Sequence, residues 1–130
     1  MFGLVSEKEA EFLRRHEVCA FATCVENVPH VTPVCYIYVD GFVWIATDYD
    51  TKKYENIKKN SRVALTVFDY KPSRGIMISG TAEIVEEGEE FREIYKKFYE
   101  KFDWVRRSPW REKEAPFIKV KPDKKASWLI

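Results

Sequence analysis

A chain of 130 residues is long enough for one packed domain and too short for a second of similar size. Hydrophobic residues at 45% and aromatics at 15%, including four Trp, seven Tyr and nine Phe, exclude a disordered or low-complexity chain. With 22 basic and 21 acidic side chains the formal net charge is +1, so no long-range field draws the protein to nucleic acid or to an anionic membrane.

Residues 1–6 carry neither a basic n-region nor an apolar h-region, and no later run approaches membrane-spanning length, which points to a soluble, cytoplasmic protein. Ser6-Glu7-Lys8-Glu9 is a capping box and predicts a helix running to about Glu17, with His16 in its last turn, where a cation suits the dipole. From Cys19 the pattern becomes that of strands. Residues 19–25 and 29–39 read as a hairpin about a short turn at 26–28, and Asp40-Gly41 is a two-residue turn signal that returns the chain through residues 42–47.

Asp50 or Thr51 then caps a short basic helix reaching about Asn60, which puts Lys52 and Lys53 in its first turn. Free amides already make that end positive, so two cations there are misplaced by roughly 0.3–1 kcal/mol each. A bound phosphate would turn this cost into a gain; the alternative is that both lysines point into water, where screening makes the cost small.

Residues 62–69 predict a further strand, and residues 76–85 alternate between two faces, with Gly80 marking a bend. Phe91, Ile94, Tyr95, Phe98 and Phe102 form a core-facing stripe on a helix over residues 87–102. Residues 103–111 are a long connection with two Trp and three Arg, which reads either as a lid whose arginines meet an anionic substrate or as a loop packed on its own barrel. Residues 116–121 and 125–130 complete a count of seven strands. A mainly β, antiparallel chain of this kind closes into a barrel with flanking helices, because closure removes exposed edges.

Cys19, Cys24 and Cys35 lie in apolar strand segments without C-x-x-C spacing and read as free thiols rather than disulfide or metal ligands. With only His16 and His30, no multi-histidine metal site and no Cys/His pair can be assembled, and His30 reads as a strand-edge surface residue. The glycine-rich phosphate loops and the nucleophile and zinc motifs are missing, so a cofactor has to supply any chemistry.

The order of Ala22-Thr23, Pro29-His30-Val31-Thr32-Pro33-Val34, Trp44-Ile45-Ala46-Thr47, Thr51-Lys52-Lys53-Tyr54-Glu55-Asn56-Ile57 and Arg62-Val63-Ala64-Leu65 resembles the FMN-binding split barrel family related to pyridoxamine 5′-phosphate oxidase. The ending Phe117-Ile118-Lys119-Val120-Lys121-Pro122 and Ser127-Trp128-Leu129 is similar to that family too. The resemblance implies a flavoprotein oxidoreductase, a homodimer with FMN near the subunit interface. It places Thr32, Pro33 and Val34 under the flavin ring and Thr47, Lys52 and Lys53 at the FMN phosphate, with Asn56 supporting the loop and Arg74 and Gly75 reaching in from the second subunit. The oxidases proper carry an arginine at the position of Thr32, a glutamine at that of Gly75 and a longer C-terminal end with substrate-binding Arg and His. These departures imply a small-molecule substrate other than pyridoxamine phosphate. A non-enzymatic flavin- or haem-binding protein of the same fold is the rival reading.

Overall fold

The computed structural model describes residues 4–130, so the reading of a missing leader at residues 1–3 lies outside it. Ten elements follow in chain order: α1 (Glu7–Arg15), β1 (Val18–Val25), β2 (Val28–Val39), β3 (Phe42–Ala46), α2 (Lys52–Lys59), β4 (Arg62–Asp69), β5 (Arg74–Val85), α3 (Glu89–Lys101), α4 (Asp103–Arg107) and β6 (Phe117–Trp128). The strands form a closed antiparallel barrel in the order β1-β2-β3-β6-β5-β4. The β1–β2 and β2–β3 turns each depend on left-handed backbone at two residues, Glu26 and Asn27 in the first and Asp40 and Gly41 in the second, which is the geometry that matches strand twist.

Six strands replace the expected seven, because the two C-terminal segments are one continuous β6. Gly80 pairs with Pro122 while Ser79 pairs with Lys124, so Asp123 is the extra residue of a bulge that absorbs the proline's missing N–H. A Cβ on Gly80 would run into the carbonyl of Lys121. Gly80→Ala is therefore expected to cost about 1–3 kcal/mol in urea denaturation. Unchanged stability would mean that the bulge can open to admit a methyl group.

Alternation along the strands makes two cores. Phe21, Tyr36, Ile45, Ile78 and Ile118 fill the barrel, and Tyr36 donates its hydroxyl to Leu13 O at 2.6 Å, fixing α1 against β2. On the outside of β2, β3 and β6, Ile37, Trp44 and Phe117 pack under Phe91, Ile94 and Phe98 of α3, as the stripe predicted. α1 ends at Arg15 rather than near Glu17, with His16 as its cap; the His16 ring is bonded to Phe12 O and to Asp69, each at 2.8 Å. Asp69 also receives Arg74 at 2.8 Å, and the bonds from His16 and Arg74 hold its carboxyl below the ordinary carboxylate range.

The capping box forms, and its Glu9 does more than cap. Glu9 is buried, yet it accepts Lys125 Nζ at 2.6 Å, the Ser127 hydroxyl and Ser6 N at 2.8 Å, which ties α1 to β6. Burial by itself would raise the Glu9 pKa. The bonds from Lys125, Ser127 and Ser6 together outweigh burial and bring it down to about 2.

Candidate functional site

β3 pairs with β2 only from Tyr36↔Ile45 to Val39↔Phe42. Continued two residues further, that register would set Thr47 opposite Val34, but the chain leaves β2 there and Thr47 N instead donates to Pro116 O at 3.4 Å. The first half of β2 pairs with β1 along one edge and, among the described residues, has no strand partner along the other. A split therefore opens in the barrel wall, with Thr32, Pro33 and Val34 on one side and Thr47 on the other.

The three β2 residues do not present themselves equally. Thr32 pairs with Phe21 and Val34 with Cys19, so both share the inward face, and Val34 belongs to the core; Pro33 pairs with Ala20 and is exposed outside. Thr32 Oγ1 and His30 Nδ1 are buried without a hydrogen-bond partner, two unsatisfied polar atoms on the same face of one strand. His30 is thus half-buried, not the edge surface residue expected from the sequence.

At the other lip, Thr51 caps α2. Its hydroxyl accepts Tyr54 N at 3.3 Å and donates to Asp48 O at 2.8 Å. Its one proton is spent, so the 3.1 Å contact with Thr47 is made by the Thr47 hydroxyl donating. Thr47, 9% exposed, can turn that proton to a bound anion without breaking the cap. Lys52 is exposed and Lys53 half-buried, and neither has an ion pair among the described residues, whereas Lys58 of the same helix meets Glu55 at 3.2 Å. Asn56, 3% exposed, donates to the buried Thr23 hydroxyl at 3.0 Å, and Asn60 to Cys24 O at 2.8 Å. Both amides seat α2 on β1.

Arg74 and Gly75 lie elsewhere. α2 sits at the Thr23 end of β1, near where Arg62 pairs with Thr81, while Asp69↔Arg74 closes the opposite end of the β4–β5 pair. Within one chain Arg74 is held by Asp69 at 2.8 Å. A Cβ on Gly75 would approach Trp128 Cζ2 to 2.5 Å and Val67 O to 2.7 Å, so the glycine makes room for packing within this subunit.

Two features escaped sequence reasoning. The outer faces of β1, β4, β5 and β6 form one shallow apolar surface with a hollow of about 380 Å³, where Met77 is 53% and Val31 64% exposed. Its signal, alternating small and apolar residues such as Ala20, Ala22 and Ala64, is weak because both faces of these strands are apolar. The long connection after α3 is also not a plain loop. It contains α4, and Trp104 and Trp110 stack within 7° at 5.9 Å, while Tyr95 meets Trp110 edge-on and accepts its backbone N–H at 3.2 Å.

All three cysteines are free; burial drives Cys19 up to about 12 and raises Cys35, so neither is a ready thiolate. Among the described residues no group of His, Cys, Asp and Glu could hold a metal ion, and no helix is long and apolar enough to cross a membrane.

A family model described as pyridoxamine 5′-phosphate oxidase matches residues 5–128. No curated protein sequence matches the chain. Among solved structures, a conserved hypothetical protein from Mycobacterium tuberculosis is 26% identical with a TM-score of 0.81, over 95% of this chain and 84% of that one. The haem storage protein of Vibrio cholerae also reaches 0.81, at 12% identity over 96% and 94% of the two chains. A FAD-binding protein from Mesorhizobium loti reaches 0.76 at 19% identity, over 95% and 92%. The latter two, below 25% identity, share the fold.

Proposed function

The chain belongs to the pyridoxamine 5′-phosphate oxidase family, and from that membership we propose that it is a flavoprotein which holds FMN non-covalently in the split between β2 and β3 and works as a homodimer. The observation that carries this reading is the corner at Thr47, Thr51, Lys52 and Lys53, where two lysines without ion pairs among the described residues meet the free amides of a helix start. The residues present fit the group. Lys52, Lys53 and Thr47 would hold the phosphate, and the unpartnered edge of β2 with the orphaned Thr32 hydroxyl would receive the polar edge of the ring. Bound there, the flavin would supply hydride or electron transfer to a small-molecule substrate, and the chain would orient the ring and exclude water from it. Pyridoxamine phosphate is not that substrate in this reading: Thr32 offers no positive charge, and the Trp128 ring occupies the space that a longer side chain at position 75 would need.

An absorption spectrum of the purified protein with mass spectrometry of the released cofactor tests the assignment. FMN with its two visible bands is expected. A Soret band with released haem would replace the flavin reading by the haem-binding one.

The homodimer is supported by the apolar outer face and by the separation of Arg74 from the α2 corner, since a second copy would cover the one and bring the other to its partner's site. Met77→Glu, which places a charge in the middle of that face, is expected to convert a dimer at micromolar concentration into a monomer in sedimentation, with loss of FMN affinity. A wild-type monomer that still binds FMN tightly would show that the site is complete in one chain.

A further inference from the structure

Arg74, the first residue of β5, is held in a way that leaves most of its hydrogen-bonding capacity unused. It donates Nε–H to Asp69 Oδ2 at 2.8 Å, and among the described residues its two terminal nitrogens make no hydrogen bond. An arginine and a carboxylate commonly pair through two parallel bonds. Here the second oxygen is taken, because His16 Nε2 lies 2.8 Å from Asp69 Oδ1. The His16 ring is itself fixed. Its Nδ1 is 2.8 Å from Phe12 O, its centroid is 4.1 Å from that of the Phe12 ring, and the His16 carbonyl receives Lys101 Nζ at 2.6 Å.

Buried Phe12 also supports the guanidinium, whose Cζ stands 5.6 Å from the ring centroid. The side chain keeps 37% of its surface open, so a planar fork of N–H donors is immobilised yet accessible, and little ordering is left for a ligand to impose on it. Its place in the fold gives that fork a direction of use. Gly75, the next residue, pairs with Phe68 on one side and Trp128 on the other, and Phe68, Trp128 and Met77 are exposed apolar residues. Arg74 thus lies at the margin of the apolar surface that a second copy would cover. We propose that His16 and Asp69 are positioning residues for the flavin site of the second subunit: by holding Arg74 through Nε alone, they keep its terminal nitrogens free to donate to paired acceptor oxygens of the bound flavin. This rests on the reading above, in which Arg74 serves its partner's site. Phosphate oxygens and ring carbonyls share the required chemistry.

Isothermal titration of FMN and riboflavin into the wild type, Arg74→Met, Asp69→Ala and His16→Phe provides the test, with circular dichroism and sedimentation reporting the fold and the oligomeric state. Arg74→Met is expected to weaken FMN binding about tenfold or more, and Asp69→Ala and His16→Phe about threefold or more each. His16→Phe keeps a ring against Phe12 but loses both bonds, which frees Asp69 Oδ1 to capture a second nitrogen of Arg74. A positioning residue acts only through the group it places. Asp69→Ala/Arg74→Met and His16→Phe/Arg74→Met should therefore bind FMN as Arg74→Met does, within about twofold. An equal loss of riboflavin affinity assigns the acceptor oxygens to the ring, and a loss confined to FMN assigns them to the phosphate. In the flavin-free protein, the Arg74 Nε–H resonance, identified by its absence from Arg74→Met, should exchange slowly with solvent and should lose that protection in Asp69→Ala. Losses that add in the double variants, wild-type affinity in Asp69→Ala and His16→Phe, or an Nε–H signal indifferent to Asp69→Ala would overturn the proposal. Normal FMN binding by Arg74→Met beside weakened binding by Lys53→Ala would overturn it and leave the flavin reading standing. A wild type that binds no FMN would sink both.

Discussion

Lys53→Ala is expected to weaken FMN binding about tenfold or more, because a charge-assisted hydrogen bond to phosphate is worth about 1.5–3 kcal/mol and a factor of ten needs about 1.4. Lys53 is the half-buried member of the pair, so its charge is screened less than that of the exposed Lys52, and the double variant should lose more than either single one. Riboflavin carries the same ring without the phosphate, so its affinity should hardly change. Added salt should weaken FMN binding more than riboflavin binding. Isothermal titration with both ligands decides the matter. Equal losses for FMN and riboflavin would mean that the substitution disturbs α2 as a whole, and no loss for either would place both lysines in solvent. Thr47→Val belongs to the same experiment. Its loss should be smaller, since a neutral hydroxyl contributes about 1 kcal/mol and here must first give up its bond to Thr51.

A second large effect is expected in acid. The Glu9 carboxyl has an ordinary value of 4.5 and is held at about 2 in the folded protein. A group depressed by folding stabilises the native state above its unfolded pKa and ceases to do so as pH falls through its folded one. The contribution is complete above about pH 4.5 and disappears between there and about pH 2. At about 1.4 kcal/mol for each pH unit, that span corresponds to up to about 3 kcal/mol. Glu9→Gln keeps the shape but not the charge, so it should be less stable than the wild type at neutral pH and converge with it near pH 2. Thermal melts of both proteins across this range read the difference. Parallel curves would show that Lys125 and Ser127 stabilise α1 without needing the carboxylate charged. Asp69, depressed by His16 and Arg74, contributes with the same sign, and its side chain is accessible enough for solvent to screen much of it.

The apolar outer face and the flavin corner make different demands on the same strands. The faces of β1 and β4 that point into the barrel are packed in the ordinary way, while their outer faces carry alanines, so the surface is flat and suited to a second flat surface. In the proposed homodimer one surface would thus both bury apolar area and complete the site, which makes loss of FMN on dilution the simplest sign that the two are coupled.

Much of the local architecture was legible because its causes are local. The capping box at Ser6 and Glu9, the Thr51 cap, the Asp40-Gly41 turn and the aromatic stripe of α3 each depend on residues a few positions apart, and each forms as the sequence predicts. The family resemblance, carried by motif order along the chain, was legible for the same reason. The long-range decisions were not. Closure of β4 on β1 and of β3 on β6 joins segments that carry no pairing signal in their residues, and the two C-terminal strands fuse into β6 only because Gly80, some forty residues earlier, leaves room for the bulge at Pro122. At the site, neighbouring residues along the chain fix which side chains meet at the start of α2. Tertiary structure alone decided that β2 parts from β3 beside Thr47, that Val34 turns into the core, and that Arg74 faces the other end of the barrel. It also decided the partners of Arg106, which the carbonyls of Tyr99 and Glu100 and the Asp103 carboxylate claim. Charge near a site is set by where side chains find partners, and those partners come from other elements of the fold.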